Sequence, residues 1–189
     1  LESSDYHAND NSFSYICCNP IASIKIKNGE IQELYPDGTK KVTAITSEIN
    51  VAQSIQDFSS LFKTENSNFK FINNGIFGYT GYDGVQYFED IQITKKKGDL
   101  EIPELYYAVY QNIIAINHFN NQAYIFDHNF DSRSNLEEIE QLIKVKNFAS
   151  YNFRTDLAPT SNLTDEEFIE NVKLGKKHCQ RGDVFQLVL

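Results

Sequence analysis

No methionine occurs anywhere in this sequence, and residue 1 is leucine. The native initiator is therefore missing, and the expectation is a piece of a longer protein. Basic charge is scarce: 17 Lys and Arg stand against 26 Asp and Glu, a formal net charge of −9. Phosphate binding needs a basic face, so nucleic acid is disfavoured as a partner. The only basic run, Lys95-Lys96-Lys97, reads as a solvated loop. No apolar run approaches the roughly 20 residues that span a bilayer, which argues against a membrane partner. No signal-peptide pattern is visible in the residues present. Cysteine is limited to Cys17, Cys18 and Cys179. Adjacent strand residues point to opposite faces, so Cys17 and Cys18 make a poor metal site. Buried free thiols in a reducing cytoplasm are the expectation. His118 and His128 have no partners at zinc-like spacing, and His178 reads as a helix-end cation. There is no G-x-S-x-G and no pair of carboxylates in catalytic register, nor any internal repeat or low-complexity tract. No catalytic residue is assigned.

What is present is ample material for a core. The chain has 189 residues, 41% of them hydrophobic, with 14 Phe and 11 Tyr, so wholesale disorder is excluded. A single domain over residues 1–189 is the default at this length. Ser14–Cys18 reads as a strand ended by Asn19-Pro20. Ile21–Lys27 alternates, Asn28-Gly29 is a hairpin turn, and 30–35 returns. Pro36-Asp37-Gly38 turns again into 41–45. Val51, Ile55, Phe58, Leu61 and Phe62 fall at helical spacing within 49–62. Residues 106–116 read as a strand with 122–126 as its partner across Asn120-Asn121. A short helix spans 135–145, and 148–162 is a loop. Strands and helices are segregated, which predicts an α+β fold with a largely antiparallel β-sheet and flanking helices.

The last residues carry the densest pattern. Thr164 with Glu167 forms a capping box, and Asp165 and Glu166 suit the positive end of the helix dipole. Phe168, Ile169, Val172 and Cys179 give one apolar face. Gly182 suits a C-cap. Val184–Leu189 then reads as a strand with no turn signal after it. An apolar edge of this kind pairs readily, and the possible result is a homodimer.

Two further segments draw notice. Gly75, Gly78 and Gly81 suggest a phosphate loop, but G-x-x-G-x-x-G is not the dinucleotide fingerprint and no βαβ unit surrounds it. Glycines that allow close backbone approach in a sheet explain them better. Leu1-Glu2-Ser3 offers a carboxylate that can hold an ammonium group and a hydroxyl that can hydrogen-bond a polar ligand.

The stretch S-N-L-T-D-E-E-F, a helix, then R-G-D-V-F-Q-L-V-L resembles the large subunit, component I, of the anthranilate synthases, which belong to the chorismate-utilising enzymes. Gly75–Asp83 followed by Tyr87-Phe88-Glu89 is similar to another segment of that family, one that serves as core sheet and turn. The resemblance runs from Leu1-Glu2-Ser3 to the final strand. It implies the N-terminal part of the chorismate-binding fold, a regulatory and structural region of a longer cytoplasmic enzyme. The parent reaction aminates chorismate with ammonia and releases pyruvate, leaving anthranilate for tryptophan biosynthesis. It uses Mg2+, and a glutamine amidotransferase subunit (component II) supplies the ammonia. The metal ligands and catalytic groups of that family lie in the C-terminal half, so this chain by itself is expected to be inactive. The resemblance also implies a feedback site for tryptophan at Glu2 and Ser3. The family continues with an R-Y-S-F-I-G-like strand, here Ser12 to Cys17, in which Ser14 fits while Ser12 and Phe13 replace the basic residue and the tyrosine. The effector-binding candidates are therefore Glu2, Ser3, Phe13 and Ser14. Two alternatives remain at this point: component I of aminodeoxychorismate synthase, and a stand-alone ligand-binding or interaction domain.

Overall fold

The structure is a computed structural model that describes residues 2–3, 12–65, 67–93, 101–130, 133–145, 150–156 and 158–189, without the side chains of residues 2 and 3. Lys95-Lys96-Lys97 lies outside the described residues. The chain divides into two compact units, Leu1–Lys146 and Asn147–Leu189.

The first unit is built on two long antiparallel neighbours, β2 (Phe13–Lys27) and β6 (Leu105–Asn117), paired from Phe13–Asn117 to Ile26–Leu105. The remaining strands are β1 (Glu2–Ser3), β3 (Glu30–Leu34), β4 (Lys40–Ala44), β5 (Phe77–Thr80) and β7 (Gln122–Asp127). They extend a seven-stranded sheet of order β4-β3-β2-β6-β5, with β1 on β2 and β7 on β6, every pairing antiparallel. This is the α+β, largely antiparallel architecture expected. One expectation fails in detail. Asn19-Pro20 does not end a strand: β2 runs through it, with a register shift between Pro20 and Ala22 and Asn19 at φ +57°. The physical reason is that, among the described residues, no strand pairs with the opposite edge there. β1 pairs only as far as Ser14 and β3 begins at Ser23. Proline's missing N–H therefore breaks no ladder on that side, and the bulge absorbs its ring.

Helix α1 (Val51–Ser60) closes one end of the sheet. Asn50 caps it, its side-chain oxygen accepting from the Gln53 N–H at 2.9 Å. Val51 and Phe58 are buried against Ala22, Ile24, Ile26, Ile31 and Leu105. The Phe58 ring lies between Tyr35 at 6.1 Å and Phe62 at 5.2 Å. Burying a phenylalanine contributes roughly 1.5–3 kcal/mol. Helix α2 (Leu136–Lys144) has the helix dipole complemented by Glu137 and Glu138 in its first turn and Lys144 in its last, and buries Ile139.

In the second unit, α3 (Asp165–Arg181) carries the predicted capping box at Thr164 and Glu167 and a left-handed Gly182 at its end. His178 sits at that end, its Nδ1 2.8 Å from Asp183 Oδ2. The expected terminal strand is not formed. Residues 184–189 have no regular structure; Phe185 and Val188 are exposed, and Leu187 approaches the helix where a Cβ on Gly175 would meet it at 2.7 Å. A strand is defined by hydrogen bonds to a neighbour. These residues have none among the described residues, so Leu187 settles on the helix beside Gly175 while Phe185 and Val188 stay exposed. The expected burial of the thiols also fails: Cys17 and Cys18 are half-buried and Cys179 is exposed. Burial still pushes the Cys17 thiol up, away from the reactive thiolate.

At the outer hairpin, Glu33 is buried at 7% exposure directly opposite Lys41 in register. Its oxygens accept from Tyr35 Oη at 2.9 Å and Lys41 Nζ at 2.7 Å. Burial, then the bond to Glu33, raises the Tyr35 pKa; the bond to Glu33 raises that of Lys41. Burial raises Tyr15 and Tyr110 as well. A folded pKa above the unfolded value gives stability that is complete below the unfolded value and lost as pH rises through the folded one. Stability should therefore fall as pH climbs past about 10, and Tyr35→Phe should flatten that fall. Urea midpoints between pH 8 and 11 measure it; parallel curves for the two proteins would show that Tyr35 does not contribute.

Candidate ligand corner of the sheet

The four candidate residues meet at one corner. Glu2 pairs with Ser14 and Ser3 with Phe13. Successive positions in a strand alternate between faces, so Ser14 and Phe13 lie on opposite faces of the sheet. The backbone register that brings Glu2 and Ser3 beside them is not visible in the spacing of the residues along the chain.

On the Ser14 face, the serine Oγ lies 2.6 Å from His118 Nε2. His118 follows β6 directly, and its backbone N–H donates to Ser12 O at 3.0 Å. The turn that carries it is held from within. Asn117 Oδ1 accepts from the N–H groups of Phe119 and Asn120, at 2.9 and 3.4 Å. Asn121 adopts φ +56°, a left-handed conformation that asparagine tolerates. The imidazole is thus placed by strand pairing and turn chemistry. A hydroxyl against an imidazole can present either its proton or its lone pairs to a third group.

On the Phe13 face, the phenylalanine is buried and stacks on Phe71 with ring centroids 4.8 Å apart. Phe71 in turn meets Tyr124 at 5.1 Å and Phe126 at 6.0 Å, and Phe69 joins the same two rings. Beside this cluster lies an open groove of about 350 Å3, lined by residues that include Phe69, Phe71, Ile72, Glu65 and Asn73. His128 Nε2 pins its wall through Asn73 O at 2.8 Å. Sequence reasoning missed Phe69, Phe71, Tyr124 and Phe126 as a group. The available signal was the two-residue spacing of Tyr124 and Phe126 within one strand, which puts both on one face.

Farther along β6 sits a second feature that sequence reasoning missed. Asn112 is fully buried at 0% exposure. Its Oδ1 accepts from Asn19 Nδ2 at 2.7 Å, and its Nδ2 donates to Asn135 Oδ1 at 2.8 Å and Asp127 Oδ1 at 3.2 Å. Gln111 Nε2 and Ser134 Oγ also reach Asp127, at 3.1 and 2.5 Å. The network ties the β2 bulge, β6, β7 and the start of α2 into one unit. Each member is polar and satisfied, as burial demands.

The glycine segment plays a structural part. A Cβ on Gly78 would fall 1.9 Å from Tyr106 O, and one on Gly84 would fall 2.6 Å from the Thr80 methyl. Gly81 donates to Glu104 O at 2.8 Å. Gly78 and Gly81 thus make the close backbone approaches expected, whereas Gly75 does not: it has open space around it and a φ of +125°, a backbone conformation that favours glycine. Among the described residues, no group of three or more His, Cys, Asp and Glu side chains is placed to hold a metal ion. No helix among them is long and apolar enough to cross a membrane.

The family model described as chorismate binding enzyme matches residues 2–189. Anthranilate synthase component 1 of Lactococcus lactis is 26% identical over 100% of the chain, which spans 42% of that relative. The Acetivibrio thermocellus protein of the same name is 27% identical over 74% of the chain and 32% of its own length. Aminodeoxychorismate synthase component 1 of Bacillus subtilis is 25% identical over 94% of the chain and 38% of its own length. The chain thus spans less than half the length of these curated relatives. Among solved structures, anthranilate synthase component I from Streptococcus pneumoniae superposes with a TM-score of 0.57 at 20% identity, covering 90% of this chain and 39% of that one. At that identity the likeness establishes the fold.

Two substitutions test this geometry. Asn112→Leu should cost about 1–3 kcal/mol, because it leaves the half-buried Asp127 and Asn135 without their bonds to Asn112; an unchanged urea midpoint would refute the network's role. Gly78→Ala should cost about 3 kcal/mol through collision with the β6 backbone. Thermal unfolding at the wild-type temperature would show that β5 does not approach β6 as described.

Proposed function

The chain belongs to the chorismate binding enzyme family, and we propose that it forms the N-terminal, regulatory part of component I of an anthranilate synthase. That enzyme converts chorismate and ammonia to anthranilate and pyruvate, with the ammonia delivered by a glutamine amidotransferase subunit in the cytoplasm. The observation that supports the regulatory part of this reading is the register of β1 on β2. It sets Glu2 against Ser14 and Ser3 against Phe13, so residues ten or more apart in the chain share one corner. A free amino acid requires a group for its ammonium, a donor or acceptor for its carboxylate, and an apolar wall for its side chain. A carboxylate residue and two serines supply the polar chemistries, while the Phe13–Phe71 stack lies across the sheet from Ser14 and offers its apolar wall on the other face. The effector in this reading is tryptophan.

The described residues do not fit the Mg2+ that the parent reaction uses, since no acidic or imidazole group of sufficient size is gathered among them. No catalytic step is therefore assigned to them, and the reading gives this chain regulation and scaffold. A second reading, component I of aminodeoxychorismate synthase, is favoured by the Bacillus subtilis relative, which matches over nearly the whole chain. The product distinguishes the two: anthranilate is fluorescent and accompanied by pyruvate, whereas aminodeoxychorismate retains the enolpyruvyl group.

In the full-length enzyme, Glu2→Ala and Ser3→Phe should each weaken inhibition by tryptophan about ten- to a hundredfold, the worth of a charged hydrogen bond to a ligand. Tryptophan titrations of anthranilate formation read this directly. Unchanged inhibition in both variants would reject the effector assignment.

A further inference from the structure

Between α1 and β5, residues 67–74 form no helix or strand, yet they are tied down at three points. Phe71 stacks on Phe13 of β2 at 4.8 Å. The Ile72 backbone hydrogen-bonds the Tyr15 phenol, also on β2. His128, just after β7, holds Asn73 O at 2.8 Å. Within the segment, Asn73 is buried at 7% exposure. Its Nδ2 donates to Ser67 Oγ at 2.9 Å and to Phe71 O at 3.4 Å, and its Oδ1 accepts from Asn74 Nδ2 at 2.9 Å. The groove that this segment lines is therefore preformed, and its volume of about 350 Å3 falls within the range of small-molecule clefts. We propose that it binds a free aromatic amino acid, at a site separate from the corner of Glu2 and Ser14. This does not rest on the effector reading above: Phe13 serves here only as a support for Phe71.

The polar groups of the groove divide by what they can still offer. Ser67 Oγ accepts twice, from Asn73 Nδ2 and from the Phe69 N–H at 3.2 Å. A hydroxyl has two lone pairs and one proton, so the proton is what Ser67 retains for a ligand. Asn74 spends one amide hydrogen on Asn73 and keeps the second. An O–H and an N–H suit a carboxylate. Glu65, an exposed carboxylate lining the same groove, suits an ammonium group. Phe69 and Ile72 add an apolar wall that is left 46% and 59% exposed. Phe69 and Phe71 make that wall aromatic, and a ligand ring gains offset and edge-to-face contacts there that an aliphatic chain does not. Ammonium, carboxylate and ring, the three parts of an aromatic amino acid, each find a counterpart in one groove.

The test is calorimetric titration of the full-length enzyme with phenylalanine, which keeps the tryptophan of the effector reading out of the measurement. An open groove should hold phenylalanine with a dissociation constant on the order of a millimolar. Leucine should bind about fivefold more weakly. 3-Phenylpropionate, which lacks the ammonium group, should lose about tenfold, the worth of a charged hydrogen bond. Glu65→Gln should weaken phenylalanine by the same factor and leave 3-phenylpropionate unchanged, because both changes delete one contact. Ile72→Ser, at an exposed side chain, should weaken both ligands. No saturation by about 20 mM phenylalanine would overturn the proposal. Binding left intact by Glu65→Gln or by Ile72→Ser would overturn it too, as would binding abolished by Glu2→Ala, which would place the ligand at the corner. Loss in Glu65→Gln and Ile72→Ser with binding kept in Glu2→Ala supports the groove. The response of tryptophan inhibition to Glu2→Ala is read separately and bears only on the corner.

Discussion

The pairing of β2 with β6 is the constraint on which the rest of the first unit depends. These two strands share a ladder from Phe13–Asn117 to Ile26–Leu105, and every other strand of the sheet except β4 attaches to one or the other. The pairing joins residues nearly a hundred positions apart, so its loop-closure entropy must be offset by what it brings together. What it brings together is the core of Ala22, Ile24, Ile26 and Leu105 under α1 at one end and the aromatic cluster around Phe13 and Phe71 at the other. The bulge at Pro20 lets a single strand serve both ends by shifting register between them.

The buried amides follow from the same ladder. Where β2 bulges, Asn19 turns its side chain to Asn112 on β6, and Asn112 passes the bond on to Asp127 and Asn135. A bulge leaves backbone and side chains irregular, and a chain of carboxamides can satisfy irregular geometry that apolar residues cannot. The candidate corner lies at the other end of the same strands. Ser14 and His118 meet there because β2 begins where β6 ends. Scaffold and candidate site are therefore one arrangement, and a perturbation of the β2–β6 register would move both.

Much of the secondary structure could be read from the chain. The Asn28-Gly29 hairpin, the helix within 49–62 and the Thr164–Glu167 capping box are local features whose partners lie within a few residues, and each is found where local rules put it. The family resemblance, carried by a long motif around α3, pointed to Glu2, Ser3, Phe13 and Ser14 as a group, and the register of β1 on β2 does bring those four positions together. Where the reading went astray, non-local pairing decided. Asn19-Pro20 looked like a stop because proline breaks ladders, but among the described residues no strand lies on the edge beside it for the proline to interrupt. Val184–Leu189 looked like a strand from its composition, but composition cannot supply a neighbouring strand.

The sequence by itself determined the α+β class, the order of helices and strands, the caps and the family, because these rest on periodicity, turn chemistry and motif. Only the tertiary structure decided that Glu2 and Ser3 lie beside Ser14 and Phe13, that His118 stands against Ser14, and that four aromatic rings gather beside Phe13. Those facts depend on a register between distant strands. A one-residue slip in that register would exchange the two faces, and nothing in either strand taken alone specifies the alignment.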